Sequence, residues 1–234
     1  MSAPARVAVL ASGGGTNLQA LIDRFHARPA PAARVELVVA SRAGVGALER
    51  AERAGVASAV LDAREIGAEA VAARMLALLD EHRVDMVVLA GYLQLVPVEV
   101  VERYRGRMLN IHPALLPAFG GKGMYGIRVH RAVLESGVRV TGATVHLVSD
   151  RYDEGAIVAQ WPVPVLAGDT AEALAARVLA VEHQILPLAV EALARGETPP
   201  PPPGGPLCFE LSRQSSPAAE SVRATMAGDL SHAV

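Results

Sequence analysis

Short apolar runs alternate with amphipathic segments through the first half of the chain. Five short segments predict strands, at residues 6–11, 35–40, 58–61, 86–90 and 107–112, and the apolar runs 6–11 and 86–90 predict buried ones. Apolar positions at helical spacing predict helices that begin at Thr16 or Asn17, cover residues 44–54, bury Val71, Met75, Leu78 and Leu79, and cover residues 97–104. This alternation predicts a parallel, doubly wound sheet through residue 112.

The pattern changes in the second half. Residues 139–147 and 157–165 predict two consecutive strands joined by the loop 148–156, and such a pair fits an antiparallel order at one side of the sheet. A long helix with a kink at Pro187 is predicted over residues 170–194. The predicted fold class is α/β, with a doubly wound, mostly parallel sheet, helices on both faces and an antiparallel portion toward the C-terminal side.

Length and composition predict one large domain. The chain has 234 residues, of which 51% are hydrophobic and only 3% aromatic, so the core should consist mainly of Val, Leu and Ala. We predict a folded domain over residues 1–195. Residues 196–234, which include five consecutive prolines, are predicted to be a proline-rich linker and a disordered tail.

Charge and cysteine content exclude several classes of protein. The formal net charge is -2, which gives no general attraction to nucleic acid or to an anionic membrane. Cys208 is the only cysteine, which excludes an intrachain disulfide and a cysteine-based metal cluster. We find no signal peptide and no apolar run of the ~18 residues expected of a membrane span, so a cytoplasmic protein is expected. The histidines lack metal-ligand spacing, and no catalytic metal is predicted.

A glycine-rich turn follows the first strand. Its N–H groups and the dipole of the next helix favour an anion, so Gly15, Thr16 and Asn17 are predicted to bind a phosphate monoester. The turn lacks the Gly-Lys-Ser/Thr of a Walker A loop, and Leu18 stands where a dinucleotide fingerprint has its third glycine. The alternative is a turn that only requires positive φ angles.

Asn110 and His112 end a predicted strand two residues apart, which places both side chains on one face of the sheet. An amide and an imidazole can stabilise the oxyanion of a tetrahedral intermediate during acyl transfer to an amine. Asp150 or Asp153 in the acidic loop would raise the pKa of His112 and accept a proton. The alternative interpretations are that Asn110 and His112 form a polar pair with its hydrogen bonds satisfied within the protein, and that the acidic loop is a solvated turn. Ligands of such sheets bind at the carboxyl ends of the parallel strands. Both the glycine-rich turn and the pair Asn110 and His112 lie at such ends, so their joint occurrence favours a ligand-binding site.

Five segments together resemble a known family. They are residues 9–20, 89–93, 109–117, 153–160 and 181–187. In this order they are similar to the phosphoribosylglycinamide formyltransferases, folate-dependent transferases of purine (IMP) synthesis, and the resemblance extends over residues 6–195. It implies that residues 1–195 are a formyltransferase catalytic domain with a Rossmann-related fold.

The resemblance implies a role for each matching position. Asn110 would contact the formyl donor and the oxyanion, His112 would be the proton donor, and Asp153 would raise the pKa of His112. The residues implied to bind glycinamide ribonucleotide are Gly15, Thr16, Asn17 and Glu182. The residues implied to line the folate site are Arg64, Leu93, Gln94, Leu95, Val96 and Asn110.

The implied co-substrate is 10-formyltetrahydrofolate. The implied partners are small molecules, without nucleic acid or membrane, and the protein would be a monomer or a homodimer. Three departures stand out, one of which is the tail beyond Gly196, which does not resemble the family. Gln94 replaces an arginine that some members carry, and residues 120–126 form a longer, glycine-rich loop. Lys122 in this loop would reach a phosphate or a folate glutamate tail, or else lie on a floppy surface insertion.

Three alternatives remain open. Methionyl-tRNA formyltransferase shares the Asn-x-His motif but adds a tRNA-holding domain where this chain has its proline run. Formyltetrahydrofolate hydrolase carries a regulatory domain before the catalytic one, whereas the first strand here begins at Arg6. A phosphate-binding module without chemistry would leave Asn110, His112 and Asp153 without a role.

Overall fold

The computed structural model describes residues 3–197. The strands within this range are β1 Ala5–Ala11, β2 Ala33–Ala40, β3 Ala57–Val60, β4 Met86–Leu89, β5 Met108–His112, β6 Val140–Leu147 and β7 Ile157–Pro164. The helices are α1 Thr16–His26, α2 Gly46–Arg53, α3 Ala63–Ile66, α4 Ala68–Glu81, α5 Val98–Arg103, α6 Ile127–Ser136 and α7 Ala171–Arg195. Apart from Gly196 and Glu197, the predicted linker and tail lie outside the described residues.

The strands form one sheet in the order β3-β2-β1-β4-β5-β6-β7. The first five strands in this order are parallel to their neighbours. Strand β6 runs antiparallel to β5, and β7 runs antiparallel to β6. The predicted fold class, a mostly parallel sheet with an antiparallel C-terminal portion, is confirmed.

Both faces of the sheet are buried at its central strands. On β1, Val7 and Val9 pack into one apolar cluster with α1 and α7, whereas Ala8 and Leu10 pack into a second cluster with α4. Successive side chains of a strand point to opposite faces, so a strand covered on both sides must be apolar at every position. This explains why uninterrupted apolar runs located the parallel strands.

Helix α7 is long and apolar enough to cross a membrane by length and composition. It packs against α1, α6, β6 and β7, and its Leu174, Val178 and Ile185 are buried in the core. The core helix of a globular domain meets the same two criteria, so we interpret α7 as a core helix. The helix continues through Pro187, where a kink is predicted.

Two short helices are absent from the predicted set. Helix α3 has four residues and is capped by Asp62, whose side chain accepts a hydrogen bond from the Arg64 N–H at 3.0 Å. Helix α6 begins directly after Gly126 and buries Val129, His130 and Val133. Arginines alternate with these apolar positions, but Val129 and Val133 keep the helical spacing of one buried face.

The order of the strands places a crevice at the carboxyl ends of β1 and β4. From β1 the chain builds the sheet outward through β2 and β3, and then returns to add β4 on the other side of β1. The loops after β1 and β4 are joined there, because Ser12 N donates to the Gly91 carbonyl at 3.0 Å and Leu93 N donates to Ser12 Oγ at 2.9 Å. Ligands of doubly wound sheets bind at such a switch point.

Candidate active site

Strands β5 and β6 present a set of polar side chains on one face. In their antiparallel register Asn110 lies opposite His146, and His112 lies opposite Thr144. Residues directly opposite each other in antiparallel strands point to the same side of the sheet. The predicted pair Asn110 and His112 therefore shares its face with a second histidine.

Both ring nitrogens of His112 have partners within the protein. Nε2 lies 2.9 Å from the carbonyl oxygen of Phe119, and Nδ1 lies 3.5 Å from Oδ2 of Asp153. A carbonyl oxygen can only accept, so Nε2 carries the hydrogen of the neutral ring and Nδ1 carries the lone pair. Nδ1 is therefore the atom at which His112 can gain a proton.

Asp153 reaches this face from the loop between β6 and β7. Its Oδ2 accepts a hydrogen bond from Gly121 N at 2.9 Å, and its Oδ1 lies 3.6 Å from Nε2 of His146. Burial raises the pKa of Asp153, but the nearby rings of His146 and His112 and the Gly121 N–H together hold this pKa below its usual value. Asp153 is thus ionised and faces both histidines. Asp150, the other candidate carboxylate, is exposed and does not line the cavity described below.

The pKa of His112 lies below its usual value. Burial is the largest influence and lowers it, while the Asp153 charge and the Phe119 carbonyl raise it by less. The Asp153 charge raises this pKa, as expected, but burial outweighs that contribution. The side chain is nearly inaccessible to water, and an imidazolium loses hydration on burial. His112 is therefore neutral near pH 7.

His146 is a site residue to which the sequence analysis gave no role. Its Nδ1 lies 2.9 Å from the Leu147 carbonyl, which makes Nδ1 the protonated nitrogen. Its Nε2 consequently accepts from Nδ2 of Asn110 at 3.0 Å. The second hydrogen of the Asn110 amide points to a weaker contact, in which Nδ2 lies 3.4 Å from Oδ1 of Asp153. Asn110 is thus oriented by His146 and retains one loosely held donor.

The glycine-rich turn has the geometry of an anion site. Gly15 precedes α1 with a φ of 72°, and a Cβ added there would lie 2.8 Å from the Cα of Ala47. Arg50 Nε and Ala47 N donate to the carbonyls of Gly14 and Gly13 at 2.8 and 3.1 Å. These bonds turn the carbonyls away and leave the N–H groups at the start of α1 to face a ligand.

Asn17 links the glycine-rich turn to helix α7. Its Nδ2 donates to Oε2 of Glu182 at 2.6 Å, and its Oδ1 is buried without a partner among the described residues. Burial raises the pKa of Glu182, and the hydrogen bond from Asn17 opposes that rise. A buried carboxyl group and an unpaired amide oxygen together form a polar end that can bind a donor group of a ligand.

A cavity of about 640 Å³ connects these features. Its lining includes the predicted site residues Asn17, Leu93, Gln94, Leu95, Val96, Asn110, His112, Asp153 and Glu182. Residues 121–127 of the glycine-rich loop, including the exposed Lys122, also line it. The side chains of Leu93 and Leu95 are about half exposed at its edge.

Three predicted residues do not line the cavity. Gly15 and Thr16 lie beside it, adjacent to Asn17. Arg64 is bound by Asp62, with contacts of 3.0 Å from Nε and 2.6 Å from Nη2. This structure does not bring Arg64 to the folate segment, and its role stays a prediction. Over residues 3–197, no group of three or more His, Cys, Asp or Glu side chains has the geometry to hold a metal ion.

Comparison with known proteins places this geometry in a family. Residues 5–190 match the formyl transferase family. The chloroplastic phosphoribosylglycinamide formyltransferase of Arabidopsis thaliana is 46% identical over 182 residues, which are 77% of this chain and 62% of that protein. The phosphoribosylglycinamide formyltransferase of Escherichia coli K12 is 39% identical over 191 residues, 81% of this chain and 87% of that protein.

Longer relatives contain the same region. The trifunctional purine biosynthetic protein adenosine-3 of Gallus gallus is 43% identical over 192 residues, which make up 82% of this chain but 18% of that protein. Among solved structures, glycinamide ribonucleotide transformylase 1 from Symbiobacterium toebii is 44% identical, with a TM-score of 0.77, covering 82% of this chain and 89% of that one. The Brucella melitensis phosphoribosylglycinamide formyltransferase gives a TM-score of 0.75 at 43% identity, covering 82% and 96%.

Proposed function

The chain belongs to the formyl transferase family, and we propose that it transfers the formyl group of 10-formyltetrahydrofolate to the glycinamide amine of 5-phosphoribosylglycinamide in purine synthesis. The observation that carries this proposal is the convergence of Asn110, His112 and Asp153 on one cavity wall. The same cavity is lined by Asn17, which follows the glycine-rich turn, and by the apolar side chains Leu93 and Leu95.

The two substrates fit different parts of the cavity. The N–H groups of Gly15 to Asn17 bind the phosphate of the nucleotide, and Glu182 accepts a hydrogen bond from its glycinamide portion. The segment 93–96 packs against the aromatic rings of the folate through Leu93 and Leu95. Large apolar side chains that are about half exposed at a cavity edge are typical of a ligand-binding surface. This arrangement brings the acceptor amine and the formyl group together beside His112.

His112 moves the proton through Nδ1. Because burial keeps the ring neutral, Nδ1 can take a proton from the amine as that amine bonds to the formyl carbon. The protonated ring then returns this proton to the folate nitrogen as its bond to the formyl carbon breaks. The proton lost by the amine is thus gained by the departing folate.

Asp153 stabilises only the protonated state of His112. While the ring is neutral, the Nδ1 lone pair faces the lone pairs of Oδ2 across 3.5 Å, and neither atom can donate. Once Nδ1 gains a proton, the same separation becomes a charge-assisted contact. Asn110 supplies the complementary donor, because the hydrogen held loosely by Asp153 can bind the formyl oxygen as negative charge develops on it.

The remaining properties follow from this activity and stay predictions. The partners are the two small-molecule substrates, without nucleic acid or membrane, and the protein is a monomer or a homodimer. Its location is cytoplasmic. Formyl-folate enters as a co-substrate that leaves after each turnover, and the proposal requires no metal.

A folate-coupled assay with three acceptors tests the proposed function. Purified protein is given 10-formyltetrahydrofolate with 5-phosphoribosylglycinamide, with methionyl-tRNA, or with water alone. We expect tetrahydrofolate to form with the nucleotide only. Formylation of methionyl-tRNA, or formate released without an acceptor, would assign one of the alternative activities. Nucleotide binding without turnover would identify a binding module.

Replacing Gly15 with Ala tests the phosphate site. The new Cβ would lie 2.8 Å from the Ala47 backbone at a φ of 72°, so the turn must shift. We expect KM for 5-phosphoribosylglycinamide to rise by about 10-fold or more while kcat changes little, because the substitution removes ground-state binding. Initial rates at varied nucleotide concentration measure both quantities.

Gly55→Ala is the matched control for Gly15→Ala. Gly55 also has a positive φ, of 64°, but a Cβ there would meet nothing within 4 Å. The substitution Gly55→Ala therefore introduces backbone strain without a steric conflict at the proposed phosphate site. An equal rise in KM for both variants would argue against a phosphate site at Gly15.

A further inference from the structure

Thr144 lies directly beside His112 and is completely buried. The register of β5 and β6 pairs His112 with Thr144, and the register of β6 and β7 pairs Thr144 with Gln160. The three side chains thus form one row across three strands on the site face. The relative exposure of Thr144 is 0%, so its hydroxyl must find its partners within the protein.

The Thr144 hydroxyl uses its full hydrogen-bonding capacity. Oγ1 donates to the Ala114 carbonyl at 2.6 Å and accepts from Leu116 N at 3.0 Å. It also accepts from Nε2 of Gln160 at 3.0 Å. A hydroxyl has one hydrogen and two lone pairs, so all three positions are occupied.

Gln160 completes the network. Its Nε2 donates a second hydrogen bond, to the carbonyl of Leu116, at 2.8 Å. Both amide hydrogens of Gln160 therefore stabilise the same turn. One binds the Leu116 carbonyl directly, and the other binds Thr144 Oγ1, which itself bonds to the turn. Ala114 and Leu116, which lie beyond the end of β5, are thus held by three hydrogen bonds with side chains of β6 and β7.

The turn held in this way controls the surroundings of His112. The chain leaves β5 at His112, passes through the fixed turn 114–116, and returns so that the Phe119 carbonyl lies 2.9 Å from His112 Nε2. Two residues later, Gly121 N donates to Asp153 at 2.9 Å. Movement of the turn would displace both contacts together.

We propose that Thr144 and Gln160 are positioning residues for the proposed transfer: they hold the turn 114–116 so that Phe119 fixes the tautomer and orientation of His112. This inference rests on the proposed function for its kinetic consequence. Its structural consequence, the state of the His112 ring, is independent of the reaction.

The experiment compares Thr144→Val with Thr144→Ser in the full chain. Valine keeps the shape but removes the hydroxyl, and serine restores it. We expect kcat of the valine variant to fall by about 10- to 100-fold, since small misplacement of a reacting group has effects of that size. KM for 5-phosphoribosylglycinamide should not change, because the phosphate turn lies on β1 and α1. The serine variant should recover a kcat close to that of the wild type.

Thr141→Val is the matched control. Thr141 lies on the same strand, is also buried, and its hydroxyl has no partner among the described residues. The same chemical change there should leave kcat unaltered. A second test is Gln160→Glu, which keeps the size of the side chain but removes both donated hydrogen bonds, and which should lower kcat in the same direction as Thr144→Val.

Nuclear magnetic resonance of the histidine rings separates the two proposals. We expect Thr144→Val to change the tautomer balance and titration of His112, whereas Thr141→Val leaves both as in the wild type. Unchanged His112 resonances in a folded Thr144→Val protein, or equal kinetic losses in the Thr144 and Thr141 variants, would overturn the positioning role. A wild-type protein inactive toward 5-phosphoribosylglycinamide would instead contradict the proposed function, and the resonances would still test the positioning role.

Discussion

Replacing Asp153 with Asn lowers kcat by about 100-fold and leaves KM for 5-phosphoribosylglycinamide within about threefold of the wild-type value. Asparagine is the least disruptive change available, because Asp153 has a φ of 57° and Asn tolerates this region well. The variant loses the negative charge that faces Nδ1 of His112 at 3.5 Å. That charge is needed only while His112 is protonated, so turnover falls more than binding.

The same variant shifts the pH profile in a defined direction. The Asp153 charge raises the pKa of His112 against the larger effect of burial. Without that charge the pKa of His112 falls further, so the acidic limb of kcat/KM should move to lower pH. Rates measured over the range in which the wild type loses activity on acidification give this shift.

Asp150→Asn provides the control for Asp153→Asn. Asp150 belongs to the same loop but is exposed, and its substitution should leave kcat and the pH profile as in the wild type. Proportional losses of kcat and of nucleotide affinity in Asp153→Asn would contradict the proposed coupling to His112.

His112→Gln should reduce kcat by about 10²- to 10⁴-fold, the range expected for the loss of a positioned proton-transfer group. A glutamine amide can still donate toward the Phe119 carbonyl, but it cannot gain or release a proton near pH 7. Substrate binding should change little. His82→Gln, at the end of α4 and outside the cavity lining, serves as the control and should retain full activity.

The same substitution also changes the dependence of stability on pH. The pKa of His112 is lowered in the folded protein, so the unfolded chain binds more protons as the pH falls below about 6.5. The contribution of neutral His112 to stability is therefore present above that pH and is lost on acidification. His112→Gln should lose less unfolding free energy than the wild type between pH 7 and 5, as denaturant titrations can measure. A larger loss in the variant would contradict a neutral, buried ring.

The sequence predicted the fold best where a pattern of apolar residues has a single structural explanation. Uninterrupted apolar runs such as residues 86–90 located strands buried on both faces, and this gave the parallel part of the sheet. Helix α6 is not among the predicted helices, although its Val129 and Val133 follow helical spacing, because the glycine-rich segment before it favours a loop. Local pattern does not report which neighbours cover a short helix.

The candidate site was predictable in its parts but not in their arrangement. Spacing placed Asn110 and His112 on one face, yet His146 was overlooked because its role depends on the register of β5 and β6. That register is a long-range property, set across a connection of more than 25 residues. The net direction of the His112 pKa is not readable from the sequence for a related reason, since a sequence shows the nearby carboxylate but not the depth of burial.

The most direct test of the central claim is the protonation state of the His112 ring, followed by nitrogen-detected titration in the wild type and in Asp153→Asn. We expect a neutral ring protonated at Nε2, which gains its second proton at Nδ1 with a pKa below 6.5 and at a still lower pH in the variant. A ring protonated at Nδ1 when neutral, or a pKa that is the same in both proteins, would contradict it.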